Sequence, residues 1–395
     1  MKDTFDEIGK QGTFLACKKT LLGQDVIQNV GAEARKLGAT KVMVVTDAGV
    51  VGAGLVEKAL APLEAAGLPY EVFDRVLPEP PARIIDECAA RVRSGGCDLI
   101  LGIGGGSSLD SAKAACVLAT NEGSVLQYAG IDMVSKRGIP CILVPTTAGT
   151  GSETTRVLVM TDEAVNTKKV VYSDFLLPDL AVLDPMLTLS VPPRVTADTG
   201  IDALVHAIET YVSVNTTPYA EVLALQAIAM IAANLPPAYA KGSNVKARYN
   251  MLLAANLSGM AFASGGLGAN HGLAYVLGTE YHMSHGRSNA IMLPHVMAFN
   301  KVGNLHKYAD IARAMGESIE GLSLYEAADL SIEAVLNLME AVNVSPWLND
   351  YDVPESDLPK MVAGGMAQAR LFVPNPRDLT EADVRGIYQN AFNKP

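Results

Sequence analysis

The chain is poor in charge. Asp, Glu, Lys and Arg make up 18% of its 395 residues, against about 25% in an average globular domain. Apolar residues reach 49%, enough to bury a large core, which excludes global disorder. There is no Lys/Arg-rich run, and 31 basic against 42 acidic residues leave a net charge of −11. Nucleic acid and anionic membrane surfaces are therefore not expected partners. Cysteine is scarce: Cys17, Cys88, Cys97, Cys116 and Cys141 are odd in number, form no C-x-x-C and all fall in the first 141 residues. That excludes a disulfide framework and suits small buried side chains in a reducing cytosol. The opening MKDTFDEIGKQGTF lacks the apolar stretch of a signal peptide. The helical-looking apolar runs fall short of the ~20 residues that span a bilayer. These absences lead us to expect a soluble cytoplasmic protein. The low charge also hints at surface hidden between subunits.

What is present alternates strand and helix in the first half. The runs Lys41–Asp47, Tyr70–Phe73, Asp98–Ile103 and Ile139–Pro145 read as short strands, and Ala53–Ala66, Ile84–Arg93 and Ser107–Leu118 as helices. Near-continuous apolar strands separated by helices predict a parallel sheet covered on both faces. Near residue 185 β-branched runs become rare, and helical segments follow at Ala203–Val214, Ala220–Ala233, Lys246–Ala263, Leu305–Met315 and Tyr325–Ala341. The expected fold class is α/β plus all-α: a Rossmann-like dinucleotide-binding domain over 1–187 and a helical domain over 188–395.

In DLILGIGGGSSLDSAKA an apolar strand runs into Gly104, Gly105 and Gly106 and then a helix beginning at Ser107. Bare backbone and free helix N–H groups there suit a pyrophosphate, although the spacing is not G-x-G-x-x-G and a ligand-free tight turn has the same look. Asp47 ends a predicted strand, where a carboxylate can bind an adenosine ribose and repel a 2′-phosphate, favouring NAD; an N-cap aspartate is nearly as good a reading. The loop PTTAGTGSE, residues 145–153, offers hydroxyls and bare backbone after another apolar strand.

Six histidines occur, and four of them lie between 271 and 295. Asp202 and His206, four apart in TGIDALVHAIETY, lie on one helix face amid apolar residues. Burying them is costly unless they are paired with each other or hold a metal. His271 and His285 frame a stretch whose glycines can turn the chain and bring both imidazoles together. One carboxylate and three imidazoles suit a borderline divalent ion such as Fe(II) or Zn(II), acting as a Lewis acid. The second half has no cysteine, so a thiolate-rich structural zinc site is excluded there.

Together GIGGGSSLDSAKA, PTTAGTGSE, TGIDALVHAIETYVS, GANHGLAYVLGTEYHMSHGRSNAIMLPHVMAFN and NPRDLTEADVRGIYQNAF, in that order along the chain, resemble the iron-dependent (group III) alcohol dehydrogenases. The resemblance implies NAD(H)-linked hydride transfer between nicotinamide and a small aldehyde or primary alcohol, with the active site in a cleft between the domains. It implies metal ligands at Asp202, His206, His271 and His285. It implies cofactor contacts at Asp47, Gly104, Gly105, Gly106, Ser107, Asp110, Thr146, Thr147, Thr150 and Lys169. It also implies a homodimer or larger homo-oligomer.

Two positions depart from the family pattern. Tyr275 stands where many members carry a second histidine that relays a proton. A phenol with an ordinary pKa near 10 does this less readily, so Tyr275 is expected to orient substrate or cofactor, or simply to pack. Arg287 stands where an aliphatic residue is usual. It could face an anionic aldehyde such as sulfoacetaldehyde, or pair with a carboxylate elsewhere. His282 is a further candidate wall residue. The alternative functions are an NAD- and metal-dependent cyclase of the dehydroquinate-synthase type and a non-catalytic two-lobed binding protein.

Overall fold

The computed structural model describes residues 12–165 and 167–394. They form two compact units, one over Leu15–Val191 and one over residues 192–394 together with 12–14.

In the first unit the strands are β1 (Thr20–Leu22), β2 (Val42–Val45), β3 (Tyr70–Phe73), β4 (Leu99–Gly104), β5 (Gly130–Ile131), β6 (Cys141–Pro145), β7 (Val157–Asp162), β8 (Thr167–Tyr172) and β9 (Leu180–Leu183). The helices are α1 (Val30–Lys36), α2 (Ala48–Gly52), α3 (Val56–Ala65), α4 (Ala82–Gly95) and α5 (Gly106–Leu118). Six strands pair in parallel in the order β1-β9-β6-β4-β2-β3. Alternate side chains leave opposite faces of a strand, and here both faces are covered. Val42, Val44, Leu99 and Leu101 pack with Val30, Ala59 and Leu63 of α1 and α3. Met43, Val45, Ile100 and Leu143 pack with Ile85, Cys88, Leu109 and Ala112 of α4 and α5. Gly102 lets α5 lie close, since a Cβ there would come within 2.6 Å of Ala112 Cβ. A second sheet, β5-β8-β7, has an antiparallel β7–β8 pair that the strand pattern did not reveal. All five cysteines are free and four are buried.

The second unit is built of α6 (Pro193–Val212), α7 (Pro218–Ala240), α8 (Val245–Gly265), α9 (Ala269–Tyr281), α10 (His285–Asn300), α11 (Leu305–Ala314), α12 (Leu324–Ala341), α13 (Leu358–Met366) and α14 (Glu381–Phe392). Pro193 opens α6 at the position where a missing N–H costs nothing. Nearly the whole of α6 is buried, including the acidic and imidazole groups Asp198, Asp202, His206 and Glu209. Their 4-4-3 spacing places them along one stripe of the helix. The apolar-run expectation needs one correction: α7, at 23 residues, is long and apolar enough to cross a bilayer. It packs against α6 and α8, with 33% of its most apolar stretch buried and Tyr219 and Val222 exposed. The glycine-bearing stretch 269–285 forms two helices, α9 and α10, and the chain turns between them at 282–284, none of them glycine, bringing the His271 and His285 imidazoles together as expected. Gly272 is accommodated in α9 because Phe372 lies over it, 3.0 Å from where a Cβ would stand.

Candidate metal centre and dinucleotide loops

In a parallel sheet, ligands gather at the carboxyl ends of the strands. β2, β4 and β6 are neighbours there, and each ends in a polar loop. Asp47 follows β2. One of its carboxylate oxygens accepts the backbone N–H groups of Gly49 and Val50, capping α2, and the other accepts Ser108 Oγ at 2.7 Å. The N-cap reading of Asp47 therefore holds structurally, and the carboxylate also touches the start of α5. Gly104 has φ +151°, a conformation open to glycine, and Gly105 caps α5 without any side chain. The first-turn N–H groups of this 13-residue helix are thus available to an anion. Thr147 and Thr150 stand against Gly105 and Gly106, where a Cβ on Gly106 would come within 2.7 Å of Thr150 Cγ2. The backbone N–H of Thr146 is bonded to the carbonyl of Gly104, and Ser107 Oγ accepts the N–H of Glu79 at 3.2 Å.

Asp110 is engaged within the protein: it accepts Ser152 Oγ at 2.5 Å and the N–H of Val159 at 2.8 Å, and it pairs with Lys113 at 3.0 Å. Lys113 is fully buried and also donates to the carbonyls of Ser152 and Val157 and to Thr155 Oγ1. These two residues, one turn apart, staple the loop 146–157 to α5. Lys113 escaped the sequence reading, although its spacing from Asp110 signalled it. Lys169 is half-buried on β8.

The metal candidates converge. One ligand atom from each of Asp202, His206, His271 and His285 lies within 4.8 Å of each of the others. Two come from α6, one from the first turn of α9, and one opens α10. Asp202, His206 and His271 are buried, whereas 38% of the His285 side chain is exposed, so the group is open on that side. His206 and His271 stack with ring centroids 4.8 Å apart.

Two residues outside this set complete the arrangement. Glu209 Oε2 lies 2.5 Å from His271 Nδ1, and its Oε1 accepts the N–H groups of Asn270 and His271. A carboxylate that only accepts fixes the imidazole proton on Nδ1 and presents the Nε2 lone pair to the cluster. The Asn289 amide is the other. Burial pushes the Asp202 carboxyl up, but His206, His285, His271 and that amide outweigh it and hold the carboxyl below the usual range. Four Lewis-basic donors, one with its tautomer set from behind, make a donor set that fits a divalent ion.

Two family profiles match, the iron-containing alcohol dehydrogenases over residues 17–185 and the C-terminal part of the same family over 196–392. The long-chain-alcohol dehydrogenase 1 of Geobacillus thermodenitrificans is 42% identical over 94% of each chain. The chain belongs to the iron-containing alcohol dehydrogenase family. The 1,3-propanediol dehydrogenase of Citrobacter freundii is 40% identical over 96% of this chain and 98% of its own. A solved 1,3-propanediol oxidoreductase superposes with a TM-score of 0.94 at 39% identity, covering 97% of this chain and all of the other. The protein is thus an NAD-dependent alcohol dehydrogenase of the iron type, and the family implies both NAD(H) and a divalent metal.

Within this dehydrogenase, Tyr275 is half-buried, with its ring 6.0 Å from that of His285. The other two substrate-contacting candidates are placed differently. His282 is exposed and ends α9 in the left-handed conformation, φ +55°. There it shapes the turn into α10, since a residue in this conformation terminates a helix. Arg287 is nine-tenths buried, but Nε and Nη2 bind Asp198 Oδ1 at 2.7 and 2.5 Å, and Nη1 donates to Tyr351 Oη at 3.0 Å. Arg287 is thus held one turn of α6 before Asp202, paired with Asp198 and bonded to Tyr351. This matches the carboxylate-paired alternative in the sequence reading.

Proposed function

We propose that this dehydrogenase is an Fe(II)-loaded, NAD(H)-linked reductase of small uncharged aldehydes, and in the reverse direction an oxidant of the matching primary alcohols. The observation that carries this reading is the four-donor cluster, open beside His285 and supported by Glu209. When bound, the ion supplies Lewis-acid polarisation of a carbonyl oxygen and the nicotinamide supplies the hydride. Asp202, His206, His271 and His285 hold the ion, and mixed O/N donors suit Fe(II). Gly104, Gly105, Gly106 and Ser107 offer backbone and hydroxyl groups to the pyrophosphate, with Thr146, Thr147 and Thr150 alongside and Lys169 as a further cation for the dinucleotide. Asp47, while capping α2, retains acceptor capacity for a ribose hydroxyl and disfavours a 2′-phosphate. Tyr275, beside His285, orients the substrate by hydrogen bonding. Neutral substrates are favoured because the one arginine near the cluster in sequence, Arg287, already neutralises Asp198. The buried free thiols suit a reducing cytosol, and the family resemblance suggests a homo-oligomer.

The reading is tested by NADH oxidation with Fe(II) over a panel of propionaldehyde, hexanal, 3-hydroxypropanal and sulfoacetaldehyde. Neutral aldehydes are expected to show kcat/KM at least about tenfold above sulfoacetaldehyde, the effect of leaving a charge unpaired. A preference for sulfoacetaldehyde would overturn the neutral-substrate assignment. Undiminished turnover after chelation would overturn the metal assignment.

A further inference from the structure

Asn289 lies one turn after His285 on α10 and is completely buried. Its single amide nitrogen reaches three of the four candidate ligands: Asp202 Oδ1 at 2.8 Å, His285 Nε2 at 3.1 Å and His271 Nε2 at 3.2 Å. Those groups belong to three different helices, α6, α10 and α9. The amide is oriented from behind. Asn270 Nδ2 donates to both the side-chain oxygen and the carbonyl of Asn289, at 3.3 and 3.1 Å, which turns the oxygen of Asn289 away from the ligands and its nitrogen toward them. Asn270 is itself held at its backbone N–H by Glu209 at 2.6 Å. A continuous polar chain, Glu209–Asn270–Asn289, therefore runs behind the donor set, and every member is buried.

We infer that Asn289 is a positioning residue of the metal centre: its amide orients the Asp202 carboxylate, whose oxygen has lone pairs for both the amide and an ion, and in the metal-free protein it spaces the His271 and His285 imidazoles, whose single Nε2 lone pairs an ion takes over. The inference rests on the reading of the cluster as a metal site. Asp202 Oδ1 can accept the amide and still face an ion, whereas the contacts to the Nε2 atoms of His271 and His285 share the amide's remaining hydrogen and hold those rings in place until an ion displaces it. An amide suits this role because it donates to carboxylate and imidazole alike and adds no charge to compete with a cation. An aspartate in its place would bring a second carboxylate against Asp202, and a leucine would take away the donor to Asp202 Oδ1 and the side-chain acceptor of the Asn270 amide.

The test is metal binding by metal-stripped full-length protein, using Co(II) as the probe, with dissociation constants from chelator competition and coordination read from the visible absorption band. Wild type is expected to take up one equivalent. Asn289→Ala is expected to raise the dissociation constant about 10- to 100-fold, the usual loss when an outer partner of a metal ligand is removed, and to shift the Co(II) band. Asn289→Ser keeps a polar group too short to span three helices and serves if the alanine variant does not fold; it is expected to show the same direction of change. Asn270→Ala, which frees the Asn289 amide to turn, is expected to give a smaller rise. Wild-type affinity and an unshifted band in the Asn289 variants would overturn the inference while leaving the metal site standing. Failure of wild type to bind Co(II) at all would overturn the metal reading and the inference with it.

Discussion

The two units prepare their ligands in opposite ways. In the sheet unit the surface proposed for the dinucleotide is mostly backbone: glycines 104–106, the first turn of α5 and the loop after β6, with the charged side chains Asp47, Asp110 and Lys113 bonded within those loops. In the helical unit the binding surface is all side chain, four donors from three helices, with Glu209 and Asn289 aligning them. A backbone site tolerates change in most side chains but little added volume. A side-chain site tolerates little change in chemistry. Substitutions can break that contrast in order of size.

The largest effect is expected from the donor set. His271→Ala removes one donor, takes the imidazole partner from Glu209 Oε2 and opens the stacked pair with His206. It should lower kcat/KM by about 10³-fold or more, the scale on which a principal electrostatic stabiliser of a transition state acts. The protein should no longer retain metal through gel filtration, with bound metal read by elemental analysis. If His271→Ala retains one equivalent of metal, the centre is not the side-chain site described here.

The next effect belongs to the sheet unit and is expected in stability more than in turnover. Lys113→Met leaves Asp110 and the carbonyls of Ser152 and Val157 without their buried cation. Removing one partner of a buried pair costs about 3–5 kcal/mol, which should show as a lowered unfolding midpoint in urea. Since the loop 146–157 is stapled by this lysine, NADH affinity measured by fluorescence titration should fall, while metal content stays at the wild-type value. A loss of metal in this variant would collapse the distinction between the two units.

The same contrast explains what could be read from the sequence. β2, β4 and β6 were legible within a residue or two because strands buried on both faces are continuous apolar runs, and the loops after them were legible because glycine and threonine cluster there. β7 and β8 were not, since VLVMTD and TKKVVY are partly exposed and carry mixed polarity. The metal donors stood out as rare residue types in apolar surroundings. Their partners did not. Glu209 sits three residues after His206, and Asn289 four after His285, so spacing alone placed both on the right helix faces, but glutamate and asparagine are common on any helix and nothing local marks them as buried. The helices α9 and α10 were not marked in the sequence, because glycine opposes helix in isolation. The fold overrides that where a neighbour needs the room: a Cβ on Gly286 would come within 2.3 Å of the carbonyl of Asp198 on α6. The identity of the residue was informative, but the reason for it lay in another helix.

The smallest effect sharpens the comparison within the helical unit. Tyr275 lies on α9 one turn beyond His271, with its ring against His285 at the open side of the cluster. If its hydroxyl orients a substrate, Tyr275→Phe removes one hydrogen bond and no packing. The expected loss in kcat/KM is then about five- to tenfold, matching a neutral hydrogen bond of roughly 1 kcal/mol. Metal content and the unfolding midpoint should be unchanged, because the ring still fills its place beside the imidazole. A larger substitution effect on KM than on kcat would place the hydroxyl in ground-state binding, and an equal fall in kcat and kcat/KM would place it in the transition state. Wild-type kinetics in Tyr275→Phe would show that the ring alone matters. The side-chain site would then consist of the four donors and the chain behind them, with nothing contributed from its open side.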